Sequence, residues 1–307
     1  MEFKIADLHQ DFLIRLEVPH MLGYAKLKEE ELGKICACMS KNLSTVCFAS
    51  VVRGREKSKY AELLRQVNTY RSFLEKNQEF FSLFPERRKN RASVVLALEG
   101  CYGVRSEKML LEFVKKGVRI FSLTWNKHNY LAGGCEKNDK GLTSLGRRCV
   151  ALLMREGCII DLAHANEKSM RNIFKTEPER YSLLASHTGI REICDIPRNI
   201  PMWAAEKIYE LGGVVGISLD KDMLGAKTFA KFCEHVDLLE RELGLEVIAL
   251  GSDMYGMPPG DVALPIREVC DFDLLFKKIL ENYSRREAEK MLRRNAERVL
   301  LKRLTGK

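Results

Sequence analysis

The segment Asp7-Leu8-His9-Gln10-Asp11 sets an imidazole and a carboxylate two residues apart, straight after the apolar run Phe3–Leu8. Residues two apart on an extended chain face the same side. The pair could therefore begin a metal site or simply end a strand. Comparable side chains follow other apolar, β-branched runs: Glu99 after Ser93–Leu98, Trp125 after Val118–Thr124, His164 after Cys158–Leu162, His187 after Ser182–Ala185 and Asp253 after Val247–Leu250. One polar strand end carries little weight. Here three of the six histidines of the chain, together with Asp11, Glu99 and Asp253, occupy such positions. Imidazole and carboxylate donors without thiolate suit Zn²⁺ or a similar divalent ion. Their number exceeds what one tetrahedral zinc needs, so the set predicts two metals roughly 3.5–4 Å apart, sharing a carboxylate and a water. The bridged water would become hydroxide at neutral pH, and an acidic residue left over would orient it and pass its proton to a leaving group.

Such a site requires elements that bring strand ends together. Runs at Phe3–Leu8, Thr45–Val51, Ser93–Leu98, Val118–Thr124, Cys158–Leu162, Ser182–Ala185, Val214–Ser218 and Val247–Leu250 read as strands. Amphipathic stretches lie between them, with apolar residues recurring at i, i+3 and i+4, as in Tyr60–Phe81, Glu107–Lys116, Ser144–Arg155, Met202–Leu211 and Phe229–Glu242. This alternation predicts a closed parallel (β/α)8 barrel of the TIM type plus a C-terminal helix, built as one domain over residues 1–307. An open doubly wound sheet is the weaker alternative, because no Gly-x-Gly-x-x-Gly follows the first strand. In a closed barrel the C-terminal strand ends share one face, where active sites form.

Composition narrows the class. Hydrophobic residues make up 46% and charged residues 30%, as in ordinary globular proteins. No uncharged apolar run of about 18 residues is present, so no membrane span is expected, and Met1-Glu2-Phe3-Lys4 does not read as a basic-then-apolar leader, so a signal peptide is not expected either. The net charge of +9 comes from basic residues interspersed with acidic ones along helical stretches, such as Arg285-Arg286-Glu287-Ala288-Glu289-Lys290. This reads as solvated helix surface rather than a nucleic-acid groove. The ten cysteines form no Cys-x-x-Cys pair, and several lie in apolar runs. Reduced, buried thiols in a cytoplasmic protein are expected.

Over nearly its whole length the chain resembles the renal-type, or membrane, dipeptidases, zinc peptidases on an amidohydrolase-like barrel. The resemblance runs through "DLHQDF" at 7–12, "ALEG" at 97–100, "GVRIFSLTWN" at 117–126, "GLTSLGRRCVALLMREGCIIDLAHAN" at 141–166, "ASHTGIREICDIPRNIP" at 185–201, "GSDMYG" at 251–256 and "MLRRNAERVL" at 291–300. It implies that His9 and Asp11 bind one zinc, that His164 and His187 bind a second, and that Glu99 bridges both with a water or hydroxide. It further implies that Asp253 shuttles the proton of that water and that Arg198 grips the terminal carboxylate of a dipeptide, some members of the family accepting a D-residue there. A guanidinium fork suits both oxygens of a carboxylate. A homodimer is also implied, although no interface is visible in the sequence.

Three positions depart from the family pattern. Trp125 stands where many members carry a histidine thought to stabilise the tetrahedral intermediate, and indole offers one N–H donor and no protonatable nitrogen. His128, three residues on, is a candidate replacement, with a plain loop position the alternative. Tyr255 occupies the place of a second Asp, to line a pocket or to pack, and Arg293-Arg294 replace a glycine pair. Trp125, Tyr255 and His128 are therefore the expected substrate-side residues beside Arg198. These departures keep two other readings open: a deacylase of N-acyl amino acids on the same barrel, and a non-catalytic metal-binding barrel.

Overall fold

The computed structural model describes residues 3–52, 59–136 and 139–306. Nine strands run through them: β1 Ile5–Gln10, β2 Leu43–Val51, β3 Phe81–Leu83, β4 Ala92–Glu99, β5 Val118–Ser122, β6 Ile159–Asp161, β7 Leu183–Thr188, β8 Val215–Ile217 and β9 Ile248–Leu250. All pair in parallel, in the order β2-β1-β9-β8-β7-β6-β5-β4-β3, and a direct β2–β4 ladder closes the ring. The short β3, which falls at the end of the predicted Tyr60–Phe81 helix, pairs only with β4 and lies outside the barrel. The helix itself ends at Lys76. The remaining eight strands form the predicted (β/α)8 barrel.

Parallel strands are buried on both faces, and the packing divides accordingly. Ala6, Leu8, Cys47, Val95, Ala97, Ile120, Ile159, Leu184, Val214 and Ala249 come from around the ring and fill its lumen, with Ala296, Val299 and Leu300 of the C-terminal helix Asn295–Thr305 packed against them. A larger cluster lies between strands and outer helices, for example Val46, Phe48, Leu96, Phe121 and Ile217 against Leu63, Phe113, Leu153 and Val236. Helix starts follow local chemistry. The Ser144–Arg155 helix opens at Thr143, whose Oγ1 accepts from Gly146 N at 2.9 Å. Ahead of the C-terminal helix, Lys290–Arg294 forms a π-turn, at the place where Arg293-Arg294 stand.

The thiol expectation needs one correction. Cys38 and Cys270 are disulfide-bonded, their Cα atoms 5.1 Å apart and 232 residues apart in sequence. Spacing cannot announce such a pair, because it forms only where the Glu29–Asn42 helix packs on the Val269–Asp271 turn.

His235 is structural. It is fully buried, its Nδ1 accepts from Ile190 N at 2.8 Å and its Nε2 faces Leu224 O at 3.2 Å. The ring is therefore neutral, and burial lowers its pKa below the ordinary value. The unfolded state takes up a proton near pH ~6.5 that the folded state refuses. The contribution of His235 is thus complete above that pH and declines as pH falls, by at most about 1.4 kcal/mol per pH unit. His235→Phe is expected to cost about 2 kcal/mol at pH 8 by leaving Ile190 N–H and Leu224 C=O unpaired. Urea unfolding of both proteins at pH 8 and pH 5.5 should show that difference shrinking at the lower pH, and a pH-independent difference would refute the assignment.

Candidate functional site

The C-terminal strand ends converge on a cavity of about 380 Å³, lined among others by Asp11, Glu99, Trp125, His164, Arg198 and Asp253. β1 delivers His9, and its chain continues beside that of β9: Asp253 N donates to His9 O at 3.2 Å and Asp11 N to Met254 O at 3.0 Å. This places Asp11 and Asp253 together. Gly256 sits against the pair, where any Cβ would fall 2.3 Å from Asp253 Oδ1 and 2.5 Å from Asp11 Oδ2. β4 ends on Glu99, followed by Gly100 at φ +93°, where a side chain would meet Trp125 N at 2.8 Å.

Glu99 is the centre of the arrangement. Its Oε2 lies 3.8 Å from His9 Nε2, while Oε1 lies 2.7 Å from His164 Nε2 and 3.4 Å from His187 Nε2. The donor atoms of His9, Glu99 and His187, and separately those of His9, Asp11 and Asp253, fall within 4.8 Å of one another. His9 Nε2 has its carboxylate neighbours at 3.8 and 3.9 Å and makes no hydrogen bond. That separation is too long for a shared proton and close to the ~3.4 Å edge of a tetrahedron with zinc–ligand bonds near 2.1 Å. The donor set is imidazole and carboxylate only. The residues present fit divalent metal, with one oxygen of Glu99 turned to each half.

Electrostatics agree with that fit. Asp11, Glu99 and Asp253 are buried, and each brings a carboxylate oxygen within 4.8 Å of a ring nitrogen of His9. Burial works against a charged His9, yet Glu99, Asp11 and Asp253 outweigh it and push the imidazole up to about 10. Burial raises Asp253 well above the usual carboxylate range; His9 opposes this, and Asp11 and Glu99 reinforce it. His164 and His187 are held well below the ordinary value by burial, with Arg198 and His9 adding to it. Two of these side chains stand on unusual backbone: His164 at φ +64° and Asp253 at φ +58° lie in the left-handed region, which costs a non-glycine residue about 1–3 kcal/mol and clusters at functional sites.

Arg198 comes from the loop after β7. Asn199 pins that loop: its Oδ1 accepts from Gly189 N at 3.0 Å, and its Nδ2 donates to Cys194 O and Met223 O, each at 2.8 Å. Arg198 Nη2 donates to His187 O at 2.9 Å, while Nε and Nη1 are buried and find no hydrogen-bond partner among the described residues. Trp125 forms cavity wall, its ring centroid 6.1 Å from that of His164.

Two substrate-side expectations are corrected. Tyr255 does not line the cavity; it stands at φ +69°, packs on Phe12 and Tyr24 in the core, and donates from Oη to Glu268 Oε2 at 3.0 Å. Left-handed backbone at Asp253 and at Tyr255 itself turns the ring inward. His128 is exposed on the loop after β5 and is absent from the cavity wall, which is the plain loop position. Conversely, sequence reasoning assigned nothing to Asn126, which lines the cavity and accepts from His164 Nδ1 at 2.6 Å. It also missed the acidic wall residues Asp220 and Asp222. The position of Asn126 beside Trp125, at a strand end, is the only signal that could have found it.

A family model described as membrane dipeptidase, peptidase family M19, matches residues 1–304. Among curated proteins the chain is similar to dipeptidase 3 of Macaca fascicularis, 28% identical over 221 residues covering 68% of this chain and 44% of that protein. It is also similar to dipeptidase aclJ of Aspergillus oryzae, 29% identical over 200 residues covering 62% and 46%. The chain spans less than half the length of these relatives. Among solved structures, a metallo peptidase from Rhodobacter sphaeroides, liganded with a phosphinate mimic of the dipeptide L-Ala-D-Ala, superposes with a TM-score of 0.84 at 19% identity, covering 98% of this chain and 99% of that one. At that identity the likeness bears on the fold alone.

Proposed function

The chain belongs to the membrane dipeptidase family, and on that premise we propose that it is a zinc-dependent dipeptidase holding two metals per chain. His9 and Asp11 would hold one ion, His164 and His187 the other, and Glu99 both. Bound there, zinc supplies an activated water and a Lewis acid towards the amide carbonyl. The rest falls to side chains of this chain. Arg198 binds the terminal carboxylate of the substrate with the N–H groups that now lack partners. This anchors the peptide across the cavity floor. A carboxyl oxygen of Asp253 takes the proton of the attacking water and gives it to the amine nitrogen as the C–N bond breaks. Trp125 closes one wall and limits water beside His164.

The observation that carries this reading is the convergence of three buried imidazoles on the two oxygens of one buried carboxylate, in a cavity also lined by Arg198, two of whose guanidinium nitrogens are unpaired among the described residues. Protein purified without chelator is expected to carry metal and to release amino acids from a panel of L,L- and L,D-dipeptides. Dialysis against a chelator should abolish the activity and added Zn²⁺ should restore it. Zinc-loaded protein that cleaves N-acyl amino acids but no dipeptide would replace this reading with a deacylase, and protein that takes up no metal would end both.

A further inference from the structure

Beneath the site lie two carboxylates that do not reach the cavity, Asp7 and Asp161, 1% and 3% exposed. Asp161 ends β6 and accepts four hydrogen bonds: from Ser122 Oγ at 2.7 Å, Ala163 N at 3.0 Å, Ser186 N at 2.8 Å and Ser186 Oγ at 2.6 Å. Asp7 accepts from His9 N at 3.3 Å, Gln10 Nε2 at 2.7 Å, Ser252 N at 2.9 Å and Ser252 Oγ at 2.5 Å. Each carboxylate ties together two segments that end in site residues. Asp161 joins the residue before His164 to the residue before His187, and Asp7 joins His9 to the residue before Asp253.

The proton order on the Asp161 side can be followed atom by atom. A carboxylate only accepts, and a serine hydroxyl has one proton. Ser186 gives that proton to Asp161, so it turns a lone pair towards His187 Nδ1 at 2.8 Å. Nδ1 must then carry the ring proton, and Nε2 keeps its lone pair. Asn126 Oδ1, at 2.6 Å from His164 Nδ1, imposes the same order on His164. The two Nε2 atoms, 3.2 Å apart, and Glu99 Oε1 thus face one another as three acceptors. His9 has no equivalent; its Nδ1 reaches the Ser186 hydroxyl only at 3.5 Å.

We propose that Asp161 is the positioning residue of the His164–His187 half of the site, fixing His187 through Ser186 as the Nδ1–H tautomer and holding both histidine-bearing strand ends in place. The inference rests on the two-metal reading, and it assigns Asp161 no contact with substrate. Its role is the one that outer-shell carboxylates play for metal-ligating histidines, whose loss typically weakens metal binding by 10–100-fold.

Two readouts test it. The first is zinc titration of the chelator-treated full chain, with folding checked by circular dichroism. Wild type should bind two ions, while Asp161→Asn and Ser186→Ala keep one at wild-type affinity and weaken the other by roughly 10–100-fold. Folded variants that bind both ions as tightly as wild type overturn the inference. The second readout is the tautomer of His187 in ¹⁵N-histidine-labelled, metal-free protein. Wild type should carry the proton on Nδ1, and Ser186→Ala should lose that preference. A wild-type His187 protonated on Nε2 overturns the inference whether or not metal binds. Wild type that binds no zinc yet keeps the Nδ1 proton upholds the Ser186–Asp161 relay and overturns the two-metal reading instead. Should Asp161→Asn fail to fold, Ser186→Ala carries both measurements.

Discussion

Glu99→Ala is expected to lose tight binding of both metals and to reduce dipeptide hydrolysis by ~10³-fold or more, equivalent to about 4 kcal/mol. The reason is geometric. Glu99 faces both halves, with Oε2 towards His9 and Oε1 towards His164 and His187. Losing a ligand to one ion alone would leave the second site standing, whereas losing Glu99 removes a donor from each. A second consequence needs no metal. Glu99 is the strongest of the charges that raise His9, so in the metal-free variant the His9 pKa should fall from its raised value, with only Asp11 and Asp253 left to oppose burial. Glu99→Gln separates charge from shape, since it keeps the volume and one acceptor oxygen but removes the negative charge. It should resemble the alanine variant in metal content and wild type in fold. Metal analysis and steady-state rates measured side by side decide the matter. Two ions retained at wild-type affinity in Glu99→Ala would remove Glu99 from the bridging position.

Arg198→Ala should cost about 2–4 kcal/mol in kcat/KM, roughly 30- to 1000-fold, on dipeptides with a free terminal carboxylate. It should cost little on the corresponding C-terminal amides. Nε and Nη1 of Arg198 are buried without hydrogen-bond partners among the described residues. Leaving such donors unpaired is costly, and a carboxylate accepting from one of them would relieve part of the cost. Arg198→Lys keeps the charge but not the planar fork, and should fall between the two. The third guanidinium contact, Nη2 to His187 O, ties the loop to the site. If that tie were the main role of Arg198, kcat would fall on acids and amides alike. A loss confined to KM for the acids identifies carboxylate recognition, and an equal loss on both substrate classes would refute it.

The barrel was legible because its signals are local. Apolar β-branched runs, amphipathic helices and turn glycines repeat along the chain, and each depends on neighbours a few residues away. The positions of His9, Glu99, His164, His187 and Asp253 at strand ends followed from the same reading, since a closed parallel barrel gathers those ends on one face. Tyr255 and His128 misled for a local reason as well. Both lie several residues past a strand end, Tyr255 after Leu250 and His128 after Ser122, where direction depends on backbone dihedrals rather than on alternation. Left-handed conformations at Asp253 and Tyr255 turn Asp253 to the cavity and Tyr255 to the core.

The sequence by itself determined the alternating elements, the donor types available for metal and the family to which the chain belongs. Only the tertiary structure decided which oxygen of Glu99 faces which histidine, that Asp7 meets Ser252 across 245 residues, that Asp161 reaches His187 through the Ser186 hydroxyl, and that Cys38 meets Cys270. These are pairings between distant segments, set by barrel closure and by how helices pack on it. Hydrophobic periodicity fixes the face on which a side chain lies, but it carries no information about which partner waits there.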